Sequence, residues 1–138
     1  MNNAATYTME MDITGAGTFT SDHDHNPTGL DGIGGASIDL QLAYGSGGTT
    51  VDAYAQTSLD GQRTWQDVAH YQFAMASGRA QFHVSASTTV LAASTPGDGV
   101  LSGNVAVSGI LGPDWRLKVI VAGTYGSSTV ATLRLVVR

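Results

Sequence analysis

The stretch Val51–Met75 constrains the fold most, because it predicts a complete β-hairpin by itself. Its first half, VDAYAQTS, alternates between two sets of side chains, and a period of two is typical of a strand with one covered face. Asp60 and Gly61 follow, and an Asp-Gly pair favours a turn because glycine accepts positive φ without strain. The returning stretch, TWQDVAHYQF, alternates again but slips at Asp67 and Val68, which predicts a β-bulge.

The turn of this hairpin resembles an Asp-box, the S-x-D-x-G-x-x-W pattern of sialidases and other β-proteins. Ser58, Asp60 and Trp65 match the pattern. Gln62 stands where the second conserved glycine belongs, and Gly61 precedes it. We expect a structural turn here, in which Asp60 accepts hydrogen bonds from turn amides and Trp65 packs over the base of the hairpin. A single copy argues against a β-propeller, which would repeat the motif in each blade.

The remaining chain shows the same alternation in short segments separated by glycine-rich turns. Glycine interrupts every window that could form an amphipathic helix. About eight short strands without a helix predict an all-β, single-domain antiparallel β-sandwich or small barrel. The segment from Ala36 to Thr57 is expected to form an antiparallel pair of its own. Outside the hairpin, strands are predicted over Thr6–Thr20, Ala36–Tyr44, Arg79–Ala86, Val100–Val107, Trp115–Val121 and Thr129–Arg138.

Three regions are expected within this single domain. Residues 1–20 form an N-terminal strand or interaction arm, residues 21–35 form a polar loop, and residues 36–138 form the β-sandwich body. The arm alternates apolar residues with acidic ones, a pattern typical of an edge strand or of an arm that lies on a partner. Its apolar side chains are the expected interface residues: Tyr7, Met9, Met11 and Ile13.

The composition argues against several classes of function. Charged residues make up only 12% of the chain and the net charge is −5, so the basic surface that nucleic-acid binding requires is missing. There is no cysteine to form a disulfide, and no apolar run approaches the roughly 18 residues of a membrane helix. The first residues lack the pattern of a cleaved export signal. No G-x-S-x-G motif is present and Glu10 is the single glutamate, so neither an enzyme nor a cofactor is expected.

Two groups of residues invite a ligand, and each has a simpler explanation. Asp22, His23, Asp24 and His25 are weak candidates for a metal site, because imidazoles and carboxylates bind zinc. The sequence offers no recognisable third ligand, so we expect a solvated loop and no metal. The aromatic residues could stack on a sugar, but a β-sheet core uses the same residue types, and the core is the favoured interpretation. These aromatic residues are Tyr44, Tyr54, Trp65, Tyr71 and Trp115.

Two longer stretches resemble a family of small structural proteins encoded by tailed phages and by gene-transfer-agent-like clusters. They are Val51–Phe73 and Gly109–Val119, followed by the closing segment GTYGSSTVATLRLVVR. In that family a strand V-D-x-Y-x-Q-T-S-x-D-G leads through T-W-x-D-I/V-A to a late G-x-L-G-x-x-x-R-V/L-K strand. The resemblance covers Val51–Arg138 and departs from the pattern at Gln62 and Pro113, both in turns.

This resemblance implies a virion structural protein of the capsid cement or decoration type. Such a protein is made in the host cytoplasm, binds the major capsid protein on the outer surface of the head, and commonly forms a homotrimer. A head–tail connector or tail protein is the first alternative. A carbohydrate-binding module on the virion surface is the second alternative, and it depends on the aromatic residues named above.

Overall fold

The computed structural model describes residues 5–21 and 26–138, which form strands and turns and contain no helix. Eight of the eleven strands have four or more residues, and the other three have two each. The predicted all-β fold is therefore confirmed. The strands are β1 (Ala5–Asp12), β2 (Gly17–Thr20), β3 (Gly35–Ala43), β4 (Ser46–Gly47), β5 (Thr50–Ser58), β6 (Gln66–Phe73), β7 (Gly78–Ser85), β8 (Val105–Ala106), β9 (Asp114–Ala122), β10 (Tyr125–Gly126) and β11 (Val130–Val137).

The strands form two open antiparallel sheets rather than a closed barrel, in keeping with a β-sandwich. The four-stranded sheet has the order β1–β11–β3–β7, and the five-stranded sheet has the order β2–β9–β5–β6–β8. The short strands β4 and β10 pair with each other. Chain neighbours therefore often lie in different sheets, and strands distant in sequence lie side by side.

The hydrophobic core lies between the sheets, as the alternation predicts. In β3 the inward side chains of Ile38, Leu40 and Leu42 are each at most 2% exposed. In the five-stranded sheet, Trp115 and Leu117 on β9 are fully buried. Burying a large apolar side chain contributes about 1.5–3 kcal/mol, so these central strands supply much of the stability of the sandwich.

The predicted central hairpin and its bulge are both present. Ala55 is paired with Ala69, but the next residue of β5, Gln56, is paired with Asp67. Val68 is therefore the extra residue of a bulge in β6, at the position where the sequence alternation slips.

The expected pairing within Ala36–Thr57 is wrong. β3 pairs with β11 and β7, whereas β5 pairs with β6 and β9 in the other sheet. The glycine-rich link between β3 and β5 crosses from one sheet to the other, and β4 within it pairs with β10. Gly45 in this link lies so close to the backbone of Ser127 that a Cβ atom would collide with it.

The N-terminal strand belongs to the sandwich itself. β1 pairs with β11 along its whole length, from Ala5 opposite Val137 to Asp12 opposite Val130. The chain then bends and enters the five-stranded sheet as β2. In the polar loop that follows, Leu30 is buried in the core, and its amide donates to Pro113 O at 2.9 Å.

Candidate functional site

An extended group of interacting polar side chains lies on the outer face of the five-stranded sheet. Residues 97–104, which we call the cover loop, lie against this face. The carboxylate of Asp67 on β6 accepts hydrogen bonds from three consecutive backbone amides of the cover loop, those of Gly99 at 2.9 Å, Val100 at 2.8 Å and Leu101 at 2.9 Å. The Asp67 amide also donates to Gly97 O at 2.8 Å. One aspartate thus holds both the beginning and the middle of the cover loop.

A second set of contacts joins the cover loop to β5 and β9. Gln56, whose side chain is completely buried, donates through Nε2 to Asp67 at 2.8 Å and to Asp98 at 2.7 Å. Its Oε1 accepts Nε of Arg116 at 2.7 Å. Asp98 also accepts Nζ of Lys118 at 2.6 Å. Gln56 is therefore the centre of a network that joins two carboxylates and a guanidinium.

The charges in this network shift one another's pKa values. Burial alone would raise the pKa of Asp98, but hydrogen bonds from Lys118 and Gln56 outweigh it, so the pKa is lowered. Burial lowers the pKa of Arg116, against the attraction of Asp98 and Asp67. The guanidinium of Arg116 lies 4.4 Å from the ring centroid of Trp65, a cation–π distance.

His70 on β6 extends the network toward the other end of the cover loop. Its Nδ1 lies 2.8 Å from Leu101 O, and its Nε2 lies 2.8 Å from Oδ1 of Asp52. The imidazole stacks on Tyr54, with ring centroids 4.1 Å apart. Burial and the neighbouring carboxylates Asp52 and Asp67 raise the pKa of Tyr54 to about 12.

This network, which we call the clamp, consists of side chains that hold the cover loop by hydrogen bonds. An Asp-His pair can act as a general base only if the second ring nitrogen can reach a nucleophile, and in His70 that nitrogen faces a backbone carbonyl. Every buried side-chain nitrogen and oxygen among the described residues has a hydrogen-bond partner. The polar side chains therefore hold the cover loop against the sheet.

A second polar surface lies on the outer face of the four-stranded sheet. A shallow groove of about 490 Å³ runs across β7, β3 and β11. On it, Arg79 donates to both carboxylate oxygens of Asp39, from Nε at 2.9 Å and from Nη2 at 2.8 Å. Burial would raise the pKa of Asp39, but the hydrogen bonds from Arg79 and Gln41 lower it. The groove is lined by Ser37, Ile38, Asp39, Arg79, Gln81, Phe82, His83, Arg134 and Val136.

The turn that resembles an Asp-box has the hydrogen bonds of a structural turn. Asp60 accepts the amide of Thr64 at 2.8 Å and the hydroxyl of Ser58 at 2.9 Å. The bond from the Thr64 amide is the main reason that the pKa of Asp60 is lowered to about 2. Gly61 adopts a φ of 72°, and Trp65 is only 6% exposed. The Trp65 side chain is buried beneath Arg116, and the turn itself is exposed.

The structure changes the expectation for two of the four interface residues in the N-terminal strand. Met9 is 5% exposed and Ile13 is 2% exposed, so both side chains belong to the core. Met9 lies at an odd-numbered position of β1, on the face toward the other sheet, and Ile13 continues the same alternation just after the strand. Tyr7 and Met11 are half-buried and pack on the edge of the core.

The structure describes only one of the two possible ligand sites named from the sequence, the group of aromatic residues. Asp22, His23, Asp24 and His25 lie outside the described residues. Within residues 5–21 and 26–138, no three metal-ligating side chains are grouped to hold an ion. The aromatic residues do not form a sugar-stacking face: Trp65, Trp115 and Tyr54 are buried, and Tyr44 and Tyr71 are half-buried.

Alternation in the sequence does not identify the residues that hold the cover loop, which are Gln56, Asp67, Asp98 and Arg116. Asp98 contacts Gln56 across 42 positions and Arg116 across 18 positions, and alternation within one strand contains no information about such partners. Two signals were available. A carboxyl group lies directly at the predicted bulge, and Asp98 lies between two glycines in the irregular segment.

The comparisons with known proteins assign no family. Among the described residues there is no helix long and apolar enough to cross a membrane. Comparison with models of known protein families gives no match to this chain, and comparison with curated proteins gives none either.

Proposed function

We propose that this protein is a structural component of a phage-type particle, a cement or decoration protein that binds the major capsid protein lattice on the outside of the head. The observation that carries this proposal is the closed outer face of the five-stranded sheet. Its polar groups hold the cover loop against the sheet through Asp67 and Gln56, and the pocket beside the loop, lined in part by Asp67 and Gly97, is small, at about 200 Å³. A surface without a deep cleft suits contacts with other proteins.

Exposed apolar side chains in the segment between β7 and β9 support a protein partner. Leu91 is 93% exposed and Val100 is 75% exposed, and Val105 and Val107 are also exposed. They all lie between β7 and β9: Val100 belongs to the cover loop on the outer face of the five-stranded sheet, and Val105 lies in its edge strand β8. Exposed apolar groups concentrated in one segment are typical of a protein interaction surface. On a capsid they would be buried against the lattice and would join neighbouring subunits.

The choice of a capsid as the partner comes from the sequence resemblance over Val51–Arg138. The surface chemistry is compatible with it, since few charges and many hydroxyl groups suit close packing in a repeated assembly. The same resemblance implies a homotrimer as the assembled form. It also implies manufacture in the host cytoplasm and a final position on the outer capsid surface.

The test is to mix the purified protein with heads that lack it and to image the particles by electron cryomicroscopy. We expect regular density across the lattice. A variant with Leu91→Asp and Val100→Asp should bind at least tenfold more weakly, because the charges would be buried at the contact. Met75→Asp is the matched control, since Met75 is also exposed, at 60%, but lies outside that segment.

Two results would redirect the proposal. Density at a single vertex would identify a head–tail connector, and density on the tail would identify a tail protein. Absence of binding to any part of the particle would refute the structural role. The glycan-binding alternative depends on five aromatic residues, and the burial of three of them, Tyr54, Trp65 and Trp115, counts against it.

A further inference from the structure

The four-stranded sheet has two long open edges. β1 and β7 are its outer strands, and among residues 5–21 and 26–138 each has a neighbouring strand on one side only. Both strands are eight residues long. An unpaired edge of this length is a template for another strand, unless charges, bulges or a covering segment prevent pairing.

The register shows which backbone groups point away from each edge. The Ile13 amide donates a hydrogen bond to Thr129 O at 2.9 Å. Because hydrogen-bonded pairs alternate along an antiparallel ladder, the odd-numbered residues of β1 direct their backbone groups to β11. The even-numbered residues, including Thr8, direct their N–H and C=O groups outward. On the other edge, the Ala86 amide donates to Gly34 O at 2.8 Å, so the odd-numbered residues of β7, including Gln81, point outward.

The number of strands makes the two edges compatible with each other. Every pair in the sheet is antiparallel, so with four strands β1 and β7 run in opposite directions. Two copies in the same orientation can therefore place β7 of one beside β1 of the next as an antiparallel pair. The outer faces of the two sheets then lie on the same side. Such a head-to-tail contact forms a ring where the rotation closes and a filament where it does not.

We propose that copies of this chain associate head to tail through these edges, with Thr8 of one copy opposite Gln81 of the next. In this register Glu10 lies opposite Arg79, so opposite charges meet on the outer face. On the inner face Tyr7 lies opposite Phe82, and both of these side chains are half-buried in the single chain. Strand addition would cover both rings.

Two details of β7 fit this register. Arg79 uses Nε and Nη2 for Asp39, its side chain is 56% exposed, and its other amino group remains for Glu10. At the end of β7, the outward-facing carbonyl of Ser85 is already occupied, because it accepts a hydrogen bond from the Gly109 amide of the same chain at 2.9 Å. A new strand can therefore pair with residues 79–83 and must stop before Ser85.

The inference goes beyond the proposed binding to a capsid, because it concerns self-association and its test needs no capsid. The chain contains no cysteine, so single cysteines can be introduced as unique probes. Thr8→Cys and Gln81→Cys are made as separate proteins, both at exposed positions, and the folding of each is checked by thermal denaturation. Paired residues in an antiparallel ladder are close enough for a disulfide.

We expect a cross-linked dimer when the two proteins are mixed under mild oxidation, at several times the amount formed by either protein alone. Thr8→Cys mixed with Ser102→Cys, an exposed site on the cover loop, gives the background. Glu10→Lys in the Thr8→Cys protein should reduce the mixed product.

Dimers formed equally well by Thr8→Cys alone would overturn the proposal in favour of pairing between identical edges. A mixture that gives no more product than the Ser102→Cys background would overturn edge pairing altogether. Neither result would bear on lattice binding, which the imaging experiment measures separately.

Discussion

The side chains of Gln56 and Asp67 meet on the outer face of the five-stranded sheet because of a single extra residue. Gln56 Nε2 lies 2.8 Å from Asp67 Oδ1, and the two residues are register partners. If Val68 were not bulged out, Asp67 would fall opposite Thr57, and its side chain would point into the core. A shift of one residue reverses the face of every later side chain in a strand. The bulge therefore places a carboxylate where it can hold the cover loop.

Asp67→Asn should loosen the cover loop and lower the free energy of unfolding by about 2–3 kcal/mol, since hydrogen bonds to a charged acceptor would be lost. In the native protein this carboxylate accepts amides of the cover loop and Nε2 of Gln56. Urea denaturation measures the loss of stability, and hydrogen exchange should show faster exchange at residues 99–101. Asp12→Asn removes an equal charge from an exposed position and should change stability by no more than about 0.5 kcal/mol. Equal effects of the two variants would contradict the clamp.

Acid should destabilise the fold below the ordinary aspartate pKa of 3.8. Asp39 and Asp98 have lowered pKa values in the folded state, and that of Asp60 is about 2. The unfolded chain therefore takes up protons first as the pH falls. The stabilising effect of these three carboxylates is fully present well above pH 3.8 and is lost as the pH falls from 3.8 through their pKa values in the folded state.

The thermal midpoint, followed from neutral pH to about pH 2, measures this loss. Asp98→Asn should lower the midpoint at neutral pH and make its decline in acid shallower, because one of the titrating groups is gone. An unchanged slope would mean that Asp98 does not contribute to the linkage.

Gly61→Ala should destabilise the hairpin turn by about 1–2 kcal/mol, since an L-residue is strained in the left-handed region. Gly61 has a φ of 72° and open space where a Cβ would lie, so the backbone alone decides the effect. Gly15 has equally open space but no positive φ, which makes Gly15→Ala the matched control. The control should be neutral or slightly stabilising, because alanine reduces the freedom of the unfolded chain. Denaturation midpoints compare the two, and equal effects would refute the explanation.

Leu133→Ala should cost about 2–5 kcal/mol of stability, because it leaves a cavity beside fully packed neighbours. Leu133 lies on β11 in the middle of the four-stranded sheet and is completely buried. Leu91→Ala removes the same atoms from a side chain that is 93% exposed, and its effect should stay within about 0.5 kcal/mol. Chemical denaturation of the single chain measures both. A large effect of Leu91→Ala would place that side chain in a contact that the single chain does not explain.

The sequence was sufficient for most strands and for their inward faces, but the strand predicted over Val100–Val107 is present only as the two residues of β8, and Thr6–Thr20 is divided into β1 and β2. Alternation is a local property, so Leu40 on β3 and Leu117 on β9 could be assigned to the core from their own segments. The bulge at Val68 was also local, since it appears as a slip within one stretch.

The pairing of strands and the clamp depend on residues far apart in the chain, and alternation does not specify them. β5 was expected to have one exposed face, yet Tyr54 and Gln56 on that face are buried because the cover loop lies over them. Similarly, Met9 was expected at an interface, since the sequence cannot distinguish an apolar face that packs inside the domain from one that meets a partner.

The strand order also determines when each sheet can form during synthesis. β11 lies between β1 and β3, and β9 lies between β2 and β5, so strands late in the sequence occupy interior positions in both sheets. Until β9 and β11 have left the ribosome, β2 and β1 have no strand with which to pair. The β5–β6 hairpin, the pairing of β6 with β8 and the pairing of β3 with β7 can precede them. The native sandwich is therefore completed after translation of β11, with the slow kinetics that pairing between distant segments imposes.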